Sequence, residues 1–214
     1  MNSIDDIFDY LGTILAIINA VLYFRSSSLN NLSKTKNILA IYLLVTGIIQ
    51  VTQFVLAKYK VDNLFLSHFY FLSQFVILSI FYKQLLNDIQ SKIISYVMFI
   101  IIIVLGVYFL FNLDLLTKFN AFEAFITTLP VIIYAALHMY NSLSKTYEFK
   151  YFNTGALIYL TTSALIFIAG DYLNNIEKSE LFFRPWFINK VLYVGYLLLI
   201  LIEWKVTILP IKNK

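Results

Sequence analysis

Seven long apolar runs alternate with short polar segments along the chain. Each run holds about 20 residues, the length at which an α-helix crosses a hydrocarbon core about 30 Å thick. The pattern predicts an all-α membrane protein, a bundle of seven transmembrane helices that forms one polytopic domain over residues 1–214. We place the helices at about residues 7–24, 38–57, 64–86, 93–112, 121–143, 152–173 and 186–208.

Polar residues recur three or four positions apart in six of the seven runs, which puts them on one face of each predicted helix. Because unpaired polar groups are costly in hydrocarbon, these faces should meet inside the bundle. The fourth run is apolar on all sides, and we expect its helix at the lipid-exposed periphery.

Most of the deep polar residues, Asp9 among them, fall in the half of the bundle that we assign to the outside. Interhelical hydrogen bonding explains any one of them as a packing residue, but packing alone gives no reason for this bias. Lys190 is placed on a different face of the seventh helix. We predict an outward-facing pocket for a small polar ligand, and its candidate ligand-binding residues are Gln50, Gln53, Ser67, Tyr70, Gln74, Glu123, Thr127, Asp171, Asn189 and Tyr193.

Two residues near the other end are candidates for proton binding or pH sensing. His138 and Glu203 have similar depth if helices 5 and 7 touch, and a histidine beside a carboxylate can carry a proton. His68 lies off the polar face of helix 3, and we expect its ring to be hydrogen bonded to a neighbour. The motifs HExxH and GxSxG and the Gly-rich phosphate loop do not occur. We therefore predict no catalytic residue, no metal site and no cofactor.

The composition excludes a soluble domain, because 60% of the residues are hydrophobic, 13% are charged and the mean hydropathy is +0.79. Cysteine does not occur, which excludes disulfides, thiolate metal ligands and cysteine nucleophiles.

The net charge of +4 arises from cations scattered over short loops, so nucleic acid is not a predicted partner. With the N-terminus outside, ten of the 16 Lys and Arg residues fall on the cytoplasmic side, in agreement with the positive-inside rule. The sequence predicts a multi-pass protein of the cell membrane (the cytoplasmic or inner membrane), with an outside N-terminus, a cytoplasmic C-terminus and the lipid bilayer as its partner.

The chain also shows a weak internal similarity. Aligning Asp9 with Glu123 matches FDYLGTILAII to FEAFITTLPVI, and at a nearly equal offset helix 2, YLLVTGII, matches helix 6, YLTTSALI. This predicts a 3+1+3 arrangement, in which helices 1 to 3 and 5 to 7 are parallel repeats joined by helix 4. A chance match between apolar segments is the alternative.

Two segments are distinctive as sequences: the third run contains NLFLSHFYFLSQFVILSIFY, and the last run contains RPWFINKVLYVGYLLLILIEWK. Together with the rest of the chain, they resemble a group of uncharacterised seven-helix integral membrane proteins of Bacteroidota. The resemblance implies a seven-helix topology and a bacterial source. The group has no established activity, so the resemblance implies no site residue.

Three functions fit these observations. The first is a sensor or receptor-like module with an outward-facing polar pocket, which would need a separate cytoplasmic or membrane signalling partner because its own loops are short. The second is a transporter of a small polar solute or protons, favoured by acidic and histidine residues at both depths. The third is an intramembrane lipid-modifying enzyme, and an enzyme is the least favoured class.

Overall fold

A computed structural model describes residues 3–30, 33–144, 148–169 and 185–208 of the chain. These residues form seven α-helices and two short 3₁₀ helices, Leu113–Thr117 and Ser142–Ser144, and the described ranges contain no strand. The predicted all-α fold is confirmed. The α-helices are α1 (Ser3–Asn30), α2 (Lys34–Lys58), α3 (Leu66–Leu85), α4 (Asp88–Phe111), α5 (Ala121–Asn141), α6 (Lys150–Ile168) and α7 (Pro185–Thr207).

Each helix covers one of the predicted apolar runs. The largest difference is in α1, which extends to Asn30 although its apolar run ends near residue 24. The predicted end of the sixth helix, residue 173, lies outside the described residues. We call the end of the bundle where α1, α3, α5 and α7 begin the N-terminal end, and the opposite end the C-terminal end.

Among the described helices, all but α3 are long and apolar enough to cross a membrane by themselves. The lower apolarity of α3 comes from polar residues that the bundle buries: Ser67, His68 and Gln74 are at most 9% exposed. Polar side chains are tolerated at this depth because they face neighbouring helices instead of lipid.

The contacts between helices form a ring in the order α1, α2, α3, α5, α6, α7 and back to α1. Helix α4 lies outside this ring, where it packs on α3 and α5. Its buried residues are Ile94, Ile101 and Leu105, and most of its other apolar side chains are exposed. The peripheral position predicted for helix 4 is confirmed. An exposed surface of this kind belongs in lipid, so the chain is a multi-pass helical membrane protein.

Buried hydrogen bonds join the ring helices across long sequence separations. The Asn19 side-chain amide donates to the Leu197 carbonyl oxygen at 2.9 Å, and the Tyr23 hydroxyl donates to the Ile200 carbonyl oxygen at 3.1 Å. Nearer the C-terminal end, Trp204 Nε1 donates to Ser26 Oγ at 3.0 Å. These three contacts form what we call the α1–α7 seam. They close the ring between its first and last helices.

A second buried network joins α3, α5 and α6. The Tyr82 hydroxyl donates to Asn153 Oδ1 at 2.8 Å, and Asn153 Nδ2 donates to the Ala135 carbonyl oxygen at 3.0 Å. Tyr82 and Asn153 have no exposed surface. Pairing of this kind is required where no water can reach the polar groups.

The neighbour order of the ring runs α1, α2, α3 and then α5, α6, α7. If α1, α2 and α3 change places with α5, α6 and α7, each helix keeps equivalent neighbours in the ring. This order is compatible with the 3+1+3 repeat. The repeat and the outside position of the N-terminus stay predictions.

We expect Gly155→Ala to loosen the contact between α6 and α7. A Cβ atom at Gly155 would lie 2.9 Å from Tyr196 Cδ2 and 3.1 Å from Leu199 Cδ1, so the buried tyrosine ring must shift. The free energy of unfolding in detergent should fall by about 1–3 kcal/mol.

Gly195→Ala in α7 is the matched control, because no described atom lies within 4 Å of a Cβ placed there. It should leave the free energy of unfolding unchanged or slightly raised. Equal effects of the two substitutions would contradict the packing of α6 on α7.

Candidate functional site

A cavity of about 580 Å³ lies inside the ring at the N-terminal end. Helices α1, α2, α3, α6 and α7 all contribute to its wall. Six of the predicted ligand-binding residues line it: Gln50, Gln53, Ser67, Tyr70, Asn189 and Tyr193. They come in pairs from α2, α3 and α7, and each pair is three or four residues apart, so each helix presents one face to the cavity.

Three of the other four predicted ligand-binding residues, Gln74, Glu123 and Thr127, do not line this cavity. Gln74 is almost fully buried, and its Oε1 atom lies 3.5 Å from the Tyr42 hydroxyl. The Thr127 hydroxyl donates within its own helix to the Glu123 carbonyl oxygen at 2.7 Å. Asp171 lies outside the described residues. Ligand binding by these ten residues stays a prediction.

Most of the remaining cavity wall is aromatic. The rings outside the predicted set belong to Phe8, Phe71, Phe119, Tyr159, Phe167 and Trp186. The helical period places Tyr159 and Trp186 on the polar faces of their helices, whereas no local signal separates the four phenylalanines from lipid-facing or core aromatics. Their role in the cavity depends on how the helices are arranged around it.

A buried layer separates the cavity from the C-terminal end. It consists of Tyr42, Gln74, Phe152 and Tyr196, each at most 3% exposed, and we call these four residues the floor. Tyr159 of the cavity wall stacks on Tyr196, with ring centroids 5.3 Å apart and an angle of 11° between the planes. The Tyr196 hydroxyl lies 3.4 Å from the Tyr42 hydroxyl. The cavity wall and the floor are therefore in direct contact.

An ion pair stands in the cavity wall. Lys190 Nζ donates to Asp9 Oδ2 at 2.7 Å, and the two side chains are 33% and 41% exposed. The sequence interpretation that put Lys190 on another face of α7 is wrong. Lys190 follows Trp186 by four residues and precedes Tyr193 by three, so the three residues share one helix face.

Glu123 pairs with His68 between α5 and α3. Nδ1 of His68 contacts Glu123 Oε2, and both side chains are nearly buried. Nε2 of His68 donates to the Leu115 carbonyl oxygen at 3.2 Å. The prediction that the ring of His68 bonds to a neighbour is confirmed.

The hydrogen bonds of His68 determine how many protons the pair holds. A backbone carbonyl oxygen only accepts, so Nε2 carries a hydrogen. The contact between Nδ1 and Oε2 then needs one proton between these two atoms, either on the imidazole or on the carboxyl group. Both arrangements are neutral overall, which suits a buried position.

His138 and Glu203 lie at the C-terminal end but make separate contacts. Glu203 Oε2 accepts from the backbone N–H groups of Tyr151 and Phe152, at 2.8 and 3.3 Å, and so caps the start of α6. His138 Nε2 donates to the Glu148 carbonyl oxygen at 2.9 Å. The sequence predicts a similar depth for these two residues only if helices 5 and 7 touch, and in the ring α6 lies between those two helices. Their role in proton binding stays a prediction.

Within the described ranges, no three His, Asp or Glu side chains are grouped so that they could hold a metal ion. The chemistry available to the cavity is therefore that of its amides, hydroxyl groups, aromatic rings and one ion pair.

We expect His68→Leu to destabilise the protein by about 3–5 kcal/mol, because it leaves the Glu123 carboxyl group buried without its partner. The double variant His68→Leu, Glu123→Leu should lose less than the sum of the two single variants. Unfolding in detergent measures both quantities.

Asp114→Ala provides the control, since Asp114 and Lys118 form an ion pair that is 71% and 63% exposed. Its effect on unfolding should be close to zero. Additive effects of the His68 and Glu123 substitutions would argue against a coupled pair.

Comparison with protein-family models, with curated proteins and with solved structures finds no match for this chain. The resemblance to a group of Bacteroidota membrane proteins stays a prediction.

Proposed function

We propose that the chain is a receptor-like membrane protein that binds a small ligand in the cavity at the N-terminal end. The observation that carries the proposal is the cavity itself: a space of about 580 Å³ lined by eight aromatic and seven polar or charged residues, with the buried floor beneath it. Ligand sites typically have about 300–1,000 Å³ and this mixture of apolar and polar lining.

Unpaired polar groups in the wall support this proposal. The side-chain amides of Gln50 and Gln53 have no hydrogen-bond partner among the described residues, although both face the cavity. Asn189 Oδ1 is also without a partner there. A ligand that supplies donors and acceptors would satisfy these groups, and unsatisfied polar groups are costly at this depth.

A structural connection leads from the cavity to the C-terminal end. Asp9, Gly12, Asn189 and Tyr193 of the cavity wall lie on α1 and α7, the two helices that the α1–α7 seam joins farther along. A ligand that changes the spacing of α1 and α7 at the cavity would therefore act on the seam. A partner protein bound at the C-terminal end would detect that change, and this partner stays a prediction.

Thermal unfolding of the detergent-purified protein against a metabolite and lipid library tests the proposal. A ligand that binds only the folded state raises stability by about 2.7 kcal/mol at a hundredfold excess over its Kd. We expect the variant Gln50→Leu, Gln53→Leu to lose most of the stabilisation, because both amides line the cavity.

Gln84→Leu is the matched control, since Gln84 is exposed and lies at the opposite end of the bundle. It should retain the stabilisation. A ligand that stabilises wild type and the double variant equally would bind elsewhere, and the cavity assignment would fail.

Transport of protons or of a small polar solute is the second candidate. The pair of His68 and Glu123 favours it, because a buried site that holds one shared proton is a component of proton-coupled transport. In this function, the floor is the barrier that a transport cycle would have to open.

Flux into proteoliposomes under a proton gradient separates the two functions. Glu123→Gln keeps a hydrogen bond to His68, because the amide can donate to Nδ1, but it cannot release that proton. For a transporter we expect Glu123→Gln to abolish flux while the exposed Asp114→Asn retains it. Absence of flux in wild type, with ligand binding intact, would reject transport.

A further inference from the structure

The ion pair of Asp9 and Lys190 suits a particular class of ligand. We propose that Asp9 and Lys190 bind the ammonium and carboxylate groups of a zwitterion with an aromatic body, such as an aromatic α-amino acid. The inference rests on the proposed ligand-binding function and specifies its ligand.

The first step concerns charge. Asp9 and Lys190 are the charged residues in the described part of the cavity wall, and their charges cancel. Asp6 and Lys58 line an adjoining crevice of about 380 Å³, which shares Asp9, Gln50 and Gln53 with the cavity and adds one further charge of each sign. A ligand with one charge would leave either Asp9 or Lys190 uncompensated beside aromatic rings, whereas a zwitterion compensates both.

The second step concerns accessibility. About a third or more of each side chain is exposed, so the mutual attraction of the pair is weakened by solvent. The buried hydrogen bonds of Asn19 and Tyr23 already join α1 to α7. The ring therefore does not need the ion pair for closure. Asp9 and Lys190 can give up their contact with each other and bind the charged groups of a ligand at a low free-energy cost.

The third step concerns the body of the ligand. Tyr193 and Tyr159 present rings 5.4 Å apart beside the ion pair, and Phe71 and Phe167 are paired at 5.6 Å in the same wall. Aromatic rings in such arrangements favour a further ring in offset or edge-to-face contact.

The test uses four indole compounds that differ only in their charged groups: L-tryptophan, tryptamine without the carboxylate, indole-3-propionate without the ammonium group, and 3-ethylindole with neither. Binding is measured by calorimetry on lipid-depleted protein in detergent. We expect L-tryptophan to bind at least tenfold more tightly than each of the other three.

Single substitutions should remove one part of this preference at a time. Lys190→Gln should make the affinities for L-tryptophan and tryptamine equal. Asp9→Asn should make the affinities for L-tryptophan and indole-3-propionate equal. The controls are Lys118→Gln and Asp114→Asn, in the exposed pair outside the cavity. They should leave the affinity for L-tryptophan relative to tryptamine and to indole-3-propionate unchanged. If a single variant does not fold, the swapped variant Asp9→Lys, Lys190→Asp takes its place. This variant keeps one charge of each sign, so it should retain the preference for the zwitterion.

Each other outcome is informative. Equal affinities for the four compounds, or a preference that Asp9→Asn and Lys190→Gln leave unchanged, would overturn the inference. If none of the four binds but a library ligand still depends on Gln50 and Gln53, the ligand class is wrong and the proposed function stands. If no library ligand binds either, both fail. Binding of phosphatidylethanolamine that displaces L-tryptophan and depends on the same pair would assign the site to a zwitterionic lipid headgroup instead.

Discussion

The requirement that every buried polar group be paired within the protein determines how this bundle is built, because the outer surface offers hydrocarbon and no water. Asn19, Tyr23, Tyr82 and Asn153 each bond to a group on another helix of the ring. Most of these bonds end on backbone carbonyl oxygens that also take part in helical hydrogen bonds. The helices are therefore fixed at particular heights relative to one another, which apolar packing alone does not achieve.

The N-terminal end departs from this rule around the cavity. Gln50, Gln53 and Asn189 Oδ1 face or border the cavity without partners among the described residues, and three other buried atoms, Asn19 Oδ1, Ser79 Oγ and Tyr134 Oη, are unpaired elsewhere in the bundle. The groups at the cavity differ from the others because three of them, Gln50, Gln53 and Asn189, border the same space beside aromatic rings, which suits a binding site.

Buried charges are handled in two ways. The pair of His68 and Glu123 and the backbone cap made by Glu203 are both nearly inaccessible, and each is satisfied by at least two hydrogen-bonding contacts. The pair of Asp9 and Lys190 is open to the cavity and has one such contact among the described residues. The first two therefore stabilise the fold, whereas the third is available for exchange with a ligand.

The sequence by itself determined the number of helices, their approximate ends, the polar face of most of them and the peripheral place of α4. These are local properties, because the length of an apolar run reflects the thickness of the membrane and the spacing of polar residues reflects the helical period. Six of the ten candidate residues reached the cavity wall for the same reason, since Gln50 and Gln53, or Asn189 and Tyr193, share a face whatever the neighbours are.

Only the tertiary structure decided which faces meet. The Glu123 side chain contacts His68 instead of lining the cavity. Lys190 forms an ion pair with Asp9, which is 181 residues away in the sequence. His138 and Glu203 bond to different backbone groups, and α6 lies between their helices. A helical period states which residues lie side by side on one helix, but the partner across the interface depends on the order and heights of the helices in the ring. That order results from all the long-range contacts together, so no single run of the sequence contains it.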